Sequence, residues 1–186
     1  MSQTHKVAVI VGSLRKGAYS RMTAHALISV APPSLELEIV EIGDLVMFSQ
    51  DLEVDPQPQS WVDFRDKLRG FDAFLFVTPE YNRSVPAVIK NAVDVGSRPP
   101  GKSIWTGKPG AIVSTSPGAM GGVSAHLNLR QTLVAVNVLS MPQPEMYIGG
   151  VSKLFDDDGN LIVDSTKEFF TKFMMSFAAW VEKHSS

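Results

Sequence analysis

Continuous apolar runs alternate along the chain with longer stretches in which apolar residues recur at helical spacing. Three of these runs, at residues 7–11, 73–77 and 110–114, contain almost no polar side chain. Such runs are typical of strands that are buried on both faces of a parallel sheet. A further strand is predicted at residues 36–41, where glutamates alternate with apolar residues.

Helices are predicted between and after these strands. The apolar spacing and the start and stop signals give five ranges: residues 19–31, 61–69 with Ser60 as N-cap, 86–95, 123–135 and 165–183. A fifth strand region, at residues 138–139 and 145–148, is irregular because Pro142 and Pro144 interrupt it. The whole chain, residues 1–186, is therefore predicted to be one domain of the α/β class.

Successive βα units with right-handed crossovers predict a doubly wound, five-stranded parallel sheet of order 2-1-3-4-5 with helices on both faces. In this topology the switch point lies between strands one and three, and ligands bind beyond the carboxyl ends of the strands. The loops after strands one, three and four should therefore carry the chemistry. The segment at residues 43–59 is longer than most α/β connections and is a second functional candidate.

The loop after the first strand has the composition of a phosphate-binding loop. Gly12 ends the strand, and Ser13, Arg15 and Ser20 lie in the turn or at the start of the next helix. Hydroxyls, backbone N–H groups and the positive end of a helix all bind phosphate, and a guanidinium adds a charged fork. The alternative is an ordinary βα turn with a surface arginine.

The same loop lacks the residues of two common nucleotide sites. A Walker loop places lysine and a hydroxyl residue directly after its second glycine, whereas Gly17 is followed by Ala18 and Tyr19. A dinucleotide fingerprint needs a further glycine between the outer two, and none lies between Gly12 and Gly17. The terminal monophosphate of flavin mononucleotide (FMN) therefore fits this loop best.

Composition narrows the range of functions. The 186 residues carry a net charge of −2, which argues against nucleic acid or an anionic membrane as a partner. The sequence has no cysteine, so disulfides, thiolate catalysis and cysteine-ligated metals are excluded, and its four histidines are too dispersed for a metal site. No apolar run reaches transmembrane length, so no membrane insertion is expected and the cytoplasm is the expected location.

The loops after strands three and four could receive a flat ring system. In the first of them Tyr81 offers a ring for stacking, and Pro79 and Pro86 stiffen the two ends. The second, residues 114–122, is rich in glycine and other small residues, so its backbone can approach a ring closely. Each loop alone is also compatible with an ordinary turn.

Three stretches together, GSLRKGAYSR, PEYNRSVPAVIKN and STSPGAMGG, closely resemble the NADPH-dependent FMN reductase family, in its quinone- and chromate-reducing branch. The resemblance spans residues 6–150. It implies a flavodoxin-like oxidoreductase that binds FMN non-covalently and transfers hydride from NAD(P)H to quinones, or to chromate, ferric, azo or nitro compounds, in a ping-pong cycle. Matching of the motifs implies these FMN-binding residues: Ser13, Arg15, Ser20, Arg21, Pro79, Glu80, Tyr81, Asn82 and Ser116.

The resemblance implies no catalytic side chain, because FMN itself carries the chemistry. Glu80 is the one carboxylate of the implied site, and backbone positioning is favoured for it over proton transfer. Arg83 is a candidate for contact with the nicotinamide cofactor. Two alternatives stay open: a flavodoxin-type electron carrier without its own NAD(P)H oxidation, and a flavin-free structural or regulatory descendant. Electron carriers usually need a strongly charged docking surface, which the net charge does not favour.

Assembly is also predicted. The helix at residues 86–95 is apolar nearly all round, which favours a homodimer, with the closing helix of the same chain as the alternative cover. Arg130, Glu145 and Tyr147 are polar groups that could pair across a further two-fold axis. The family resemblance likewise implies dimers that pair into homotetramers, and residues 43–59 could then reach over a neighbour's flavin.

Overall fold

The computed structural model describes residues 4–185, which form a parallel sheet with helices on both faces. The strands are β1 (His5–Val11), β2 (Leu35–Val40), β3 (Ala73–Pro79), β4 (Pro109–Thr115), β5 (Leu139–Ser140) and β6 (Met146–Ile148). The helices are α1 (Tyr19–Ser29), α2 (Gln59–Arg69), α3 (Ala87–Gly96), α4 (Val123–Ala135) and α5 (Asp164–His184). The sheet order is β2-β1-β3-β4-β5, which confirms the predicted flavodoxin-like topology.

Two apolar layers, one on each face of the sheet, form the core. In β1, alternate side chains point to opposite faces: Val7 and Val9 pack with α1 and α5, whereas Ala8 and Ile10 pack with α2, α3 and α4. All four side chains are completely buried. Burial on both faces is the reason why the strand reads as a continuous apolar run in the sequence.

The fifth position of the sheet is filled by two short strands rather than one. β5 pairs with the start of β4 through Pro109 and Leu139, and β6 pairs with the end of β4 through Val113 and Met146. The predicted five-stranded sheet therefore has a sixth strand. The interruption falls where the sequence places two prolines, and proline has no backbone N–H to donate to a neighbouring strand.

The predicted N-cap of α2 is wrong. The helix begins at Gln59 with Pro58 in the capping position, and no side chain caps it. The Ser60 hydroxyl accepts a hydrogen bond from the Val46 N–H at 3.4 Å instead. Ser60 therefore helps to hold the long segment at residues 43–59 against the helix that follows it.

Helix α3 is covered mainly by its own chain. Ile89, Val93 and Val95 are completely buried, and the Trp105 indole donates a hydrogen bond to the Val93 carbonyl at 2.9 Å. The cover comes from Trp105 and the segment at residues 43–59, and not from the closing helix α5, which packs on the opposite face of the sheet. A second subunit is therefore not needed to bury most of this helix, and the apolar sequence of α3 is no longer an argument for a dimer.

Candidate functional site

The carboxyl ends of β1, β3 and β4 lie side by side and carry three converging loops. Val11 is in register with Val77, and Pro79 is in register with Thr115. A cavity of about 200 Å³ lies among these loops, at the switch point of the sheet. The cavity is lined by residues of all three loops and of the turn after β6: Ser13, Arg15, Ala18, Tyr19, Ser20, Pro79, Glu80, Tyr81, Thr115, Ser116, Pro117 and Val151.

Glycine at position 12 allows the first loop to approach the end of β3. A Cβ atom on Gly12 would lie 2.9 Å from the Thr78 Oγ1 and 3.1 Å from the Pro79 Cδ. Any larger residue would push the loop away from β3 and open the base of the cavity. The glycine that ends the first strand is thus required by a close approach, and its φ is not in the left-handed region.

The first turn of α1 presents free hydrogen-bonding capacity to the cavity. Ala18 occupies the N-cap position, no side chain caps the helix, and its first turn has no acidic residue. Ser13 and Ser20 lie beside it and are both almost completely buried. Arg15 is exposed, and its guanidinium donates to the Gly17 carbonyl at 2.9 Å and lies over the Tyr19 ring.

Two buried hydroxyls at the cavity have no partner within residues 4–185. They are Ser20 Oγ and Thr115 Oγ1. A buried hydroxyl without a hydrogen bond costs free energy, and such groups usually have a partner in native structures. Hydroxyls next to an uncapped helix N-terminus and an arginine fit a bound phosphate ester, so the donor set of this cavity fits FMN.

A tight turn carries Tyr81 at the rim of the cavity. Tyr81 and Ser84 exchange two backbone hydrogen bonds of 3.0 Å, and the central residues Asn82 and Arg83 have φ values of 50° and 66°. Two positive φ angles define a type I′ turn. The Tyr81 hydroxyl lies 3.3 Å from the Ser13 Oγ, so it joins the loops after β3 and β1. Asparagine tolerates this conformation, and Asn82 is the signal by which the turn could have been predicted.

Glu80 contacts the start of α4. Its Oε2 accepts hydrogen bonds from the Ser124 N–H at 3.0 Å and the Ala125 N–H at 3.2 Å. The carboxylate therefore occupies donors at the positive end of that helix. Both donors belong to α4, so Glu80 connects the loop after β3 to the helix that follows β4.

The loop after β4 presents Ser116 and backbone. The Ser116 Oγ accepts a hydrogen bond from the Gly118 N–H at 3.1 Å, and the Ser116 N–H donates to the Ile148 carbonyl at 2.9 Å. Gly121 has a φ of 60°, and a Cβ atom there would lie 2.7 Å from the Tyr147 carbonyl carbon. The glycines of this loop thus allow it to pack closely on β6.

Most of the predicted site residues lie together in this cavity, but two do not line it. Arg21 points to β2, where its guanidinium makes two hydrogen bonds of 2.8 and 2.7 Å with Glu41, and this contact lowers the pKa of the Glu41 carboxyl. Asn82 lies at the exposed tip of the type I′ turn. The lining residues that the sequence did not predict are Ala18, Tyr19, Thr115, Pro117 and Val151, and Val151 begins a short 3₁₀ helix after β6.

Residues 5–153 match the sequence profile of the family described as NADPH-dependent FMN reductase. The chain belongs to this family. The match covers the three loops and the whole sheet, and it confirms both the enzyme class and the cofactor that the motifs predict. The protein is an NAD(P)H-dependent FMN reductase, with FMN as its cofactor and NAD(P)H as its co-substrate.

Several known proteins are similar to this chain over nearly their full lengths. A quinone reductase of Pseudomonas putida KT2440 is 54% identical over 98% of this chain and 97% of its own length. A 2-hydroxy-1,4-benzoquinone reductase of a Burkholderia species is 44% identical over 95% and 96%. The structure of FerB, a flavoenzyme NAD(P)H:(acceptor) oxidoreductase from Paracoccus denitrificans, superposes with a TM-score of 0.91 at 39% identity, covering 98% of this chain and 100% of that one.

A polar cluster outside the cavity involves α4 of this FMN reductase. His126 is completely buried, its Nε2 lies 3.3 Å from an Arg130 guanidinium nitrogen, and its ring meets that of Tyr147 edge-on. Burial, with a smaller effect of Arg130, lowers the pKa of His126 to about 4. Burial and the neighbouring Glu145 raise the pKa of Tyr147 to about 12. The cluster is therefore neutral at its histidine and its tyrosine around pH 7.

Two features are absent from residues 4–185. No group of three or more His, Asp or Glu side chains is arranged to hold a metal ion. None of the helices there has both the length and the apolar character needed to cross a membrane.

Proposed function

We propose that this FMN reductase is an NAD(P)H:quinone oxidoreductase whose FMN lies in the cavity between the three loops. One observation supports this position above the others: an uncapped helix N-terminus, two partnerless buried hydroxyls and an aromatic turn meet in a single cavity. Relatives that are named for quinone reduction, at 54% and 44% identity, support quinones as the acceptor class.

The residues of the first loop would hold the phosphate. Ser13, Ser20 and the first N–H groups of α1 surround the position that suits a phosphate, and Arg15 needs only to leave the Gly17 carbonyl to reach it. The charge-assisted contact of a guanidinium with phosphate is stronger than its bond to a carbonyl. The exchange of the Gly17 carbonyl for a phosphate as the partner of Arg15 therefore favours FMN binding.

The loops after β3 and β4 would hold the ring system. The backbone of Pro79 and Glu80 and the small residues around Ser116 leave room for a flat heterocycle between them, and Tyr81 stands at its edge. Bound FMN would supply the chemistry for hydride transfer between NAD(P)H and an acceptor. The protein's task is to fix the ring and leave one of its faces accessible.

No side chain of the cavity serves as an obligatory acid or base. The Glu80 carboxylate is engaged by two N–H groups of α4, and the Tyr81 side chain, 49% exposed, leaves the rim open to water. The protons that complete quinone reduction come from solvent at this rim. NAD(P)H and the quinone use the same open face in turn, which gives a ping-pong cycle.

Spectroscopy tests this function directly. Protein loaded with FMN should lose the yellow absorbance of oxidised flavin when NADPH or NADH is added without oxygen, and a benzoquinone should restore it. Initial rates at several quinone concentrations should give parallel double-reciprocal lines. FMN that stays oxidised with both nucleotides would contradict the proposal and favour an electron carrier. Chromate, ferric, azo and nitro acceptors can be compared in the same assay.

The assembly and the location belong to the same proposal. We propose a homodimer that pairs into a homotetramer, in the cytoplasm. The segment at residues 43–59 supports a first interface because it exposes Val46, Met47 and Val54. Arg130 and Glu145, 3.7 Å apart in one chain and both partly accessible, support a second.

A further inference from the structure

The carboxylate of Glu80 joins two loops that are far apart in the sequence. Glu80 follows β3, and the two N–H groups that it accepts belong to Ser124 and Ala125, which are 44 and 45 positions further along the chain. Glu80 is also one of the residues that line the cavity. A residue of the cavity wall thus carries a negative charge that contacts a helix end.

Within the first turn of α4, the Val123 N–H donates to the Met120 carbonyl at 3.2 Å, and the next two N–H groups are those that Glu80 accepts. Gly122 occupies the N-cap position in a left-handed conformation, so it offers no side-chain acceptor, and the first turn contains no acidic residue. The uncapped positive end of a helix attracts negative charge. Glu80 supplies both the acceptor and the charge from a different loop.

We infer that Glu80 is a positioning residue that sets the reduction potential of FMN. The inference rests on the proposed position of FMN in this cavity. The carboxylate has two effects there: its hydrogen bonds hold the loop after β3 against α4, and its charge cancels the positive end of α4 next to the ring. The first effect controls the affinity for FMN, and the second controls how readily the bound ring takes up electrons.

The direction of the second effect follows from electrostatics. Two-electron reduction adds negative charge to the flavin ring, so a nearby carboxylate disfavours the reduced form and an uncancelled helix N-terminus favours it. With Glu80 ionised, the cavity keeps the potential low, which suits donation to an acceptor. Removal of this charge should raise the potential.

Two substitutions separate the effect of the Glu80 hydrogen bonds on the loop after β3, called the tether below, from the effect of the Glu80 charge. Glu80→Gln keeps a carbonyl oxygen for the Ser124 and Ala125 N–H groups but is neutral, whereas Glu80→Ala loses both. Glu80→Gln should bind oxidised FMN within about threefold of the parent but prefer reduced FMN about tenfold more, a rise of about 30 mV for a two-electron couple. Glu80→Ala should bind oxidised FMN about tenfold more weakly, because the loop is no longer held.

The FMN-free protein gives a second measurement of the tether. Loss of the cap should lower the Tm of Glu80→Ala by about 2–4 °C, and Glu80→Gln should recover most of this loss. Glu168→Gln is the matched control, because Glu168 is exposed on α5 and the variant makes the same change in net charge. Its potential and its FMN affinity should equal those of the parent.

The outcomes are distinct. The reduction potentials are measured by titration with a chemical reductant. Equal potentials for Glu80→Gln and the parent would overturn the proposed effect of the charge. Unchanged FMN affinity in Glu80→Ala would overturn the proposed effect of the hydrogen bonds. If Glu80→Ala does not fold, Glu80→Gln still decides the charge effect. These potentials need no nicotinamide, so an FMN-loaded parent that neither NADPH nor NADH reduces would overturn the proposed function without affecting this comparison.

Discussion

Arg15 and Arg21 carry the same charge near the start of α1, but their surroundings differ. Arg15 is exposed at the cavity and its guanidinium is held only by a carbonyl of its own loop and by a ring. Arg21 is joined by two hydrogen bonds to Glu41 on the far side of the helix start. Only Arg15 is free to move to a phosphate.

The pair gives a matched test of the phosphate site. Arg15→Ala should weaken FMN binding about ten- to a hundredfold, which is the effect of losing a charge-assisted contact worth about 1.5–3 kcal/mol. Arg21→Ala makes the same change in charge but breaks a contact with Glu41, so FMN affinity should stay close to that of the parent. Fluorescence titration measures both. Equal affinity in Arg15→Ala and the parent would remove Arg15 from the site.

His126 predicts how stability depends on pH. Its pKa is about 4 in the folded protein and 6.5 in the ordinary case, so between these values the unfolded chain binds a proton that the folded chain does not. Stability should therefore fall as the pH drops through this window. The histidine alone accounts for about 2 kcal/mol between about pH 7 and pH 5.

Urea unfolding of the FMN-free protein at the two pH values measures this loss. In His126→Gln the difference between the two pH values should shrink by about 2 kcal/mol, whatever the variant's stability at pH 7. His25→Gln is the control, because His25 is exposed and should leave the difference unchanged. An unchanged difference in His126→Gln would show that the buried ring takes up a proton without unfolding.

At the scale of residues, the sequence predicted which residues belong to the candidate site more reliably than it predicted their contacts. The serines and the arginine of the first loop predicted a phosphate site, and these residues were expected at the edge of the sheet because they follow the end of β1. The pairing of Arg21 with Glu41 was not predictable, because the two residues lie on different elements that only sheet formation brings together. The contact of Glu80 with α4 is hidden for the same reason.

At the scale of elements, one buried side chain makes three of the hydrogen bonds that hold the segment at residues 43–59. The Asn91 amide accepts a hydrogen bond from the Phe48 N–H at 2.8 Å and donates to the Leu45 and Val46 carbonyls at 3.3 and 3.2 Å. Asn91 lies on α3, so the segment is fastened to the helix that follows the Tyr81 turn. The order of the segment therefore depends on α3 although the two are distant in the chain.

Asn91→Ala should release the segment. The free energy of unfolding should fall by about 1–3 kcal/mol, because the Phe48 N–H and the Leu45 carbonyl lose their partner and the Val46 carbonyl keeps only the Trp61 indole, and native-state proteolysis within residues 43–59 should become faster. Asn128→Ala, an exposed asparagine on α4, should change neither quantity by a comparable amount. Equal cleavage rates in Asn91→Ala and the parent would mean that other contacts hold the segment without Asn91, such as the Trp61 indole on the Val46 carbonyl and Arg98 on Glu53.

The positions of the central strands along the chain were predictable, because each strand that is buried on both faces is a continuous apolar run. The start of α2 was not predictable, because Pro58 precedes the helix and Ser60, its second residue, resembles an N-cap. The split of the fifth position was predicted in part, from Pro142 and Pro144, but the pairing of β6 with the end of β4 depends on the path of the chain between them.

At the scale of the whole molecule, the assembly can be tested by mass. Light scattering at micromolar concentration should give a mass two or four times the 20.3 kDa of one chain. Combined substitution of Met47 and Val54 by Asp should shift the mass towards that of one chain, because charge on an apolar interface opposes association. Ile162→Asp, at an exposed apolar residue outside the segment, is the control. A parent mass near 20.3 kDa would contradict the assembly.

The two sides of the sheet have a further consequence for how copies of this chain can meet. At one side β5 has only two residues, and prolines separate it from the short β6; at the other, β2 carries the exposed Glu36 and Glu38. A broken strand and a strand with charged residues are both poor templates for adding another strand. Both ends of the sheet therefore disfavour extension by a strand of another chain, which is a route to fibrils. We expect chains that associate to do so through helices and loops.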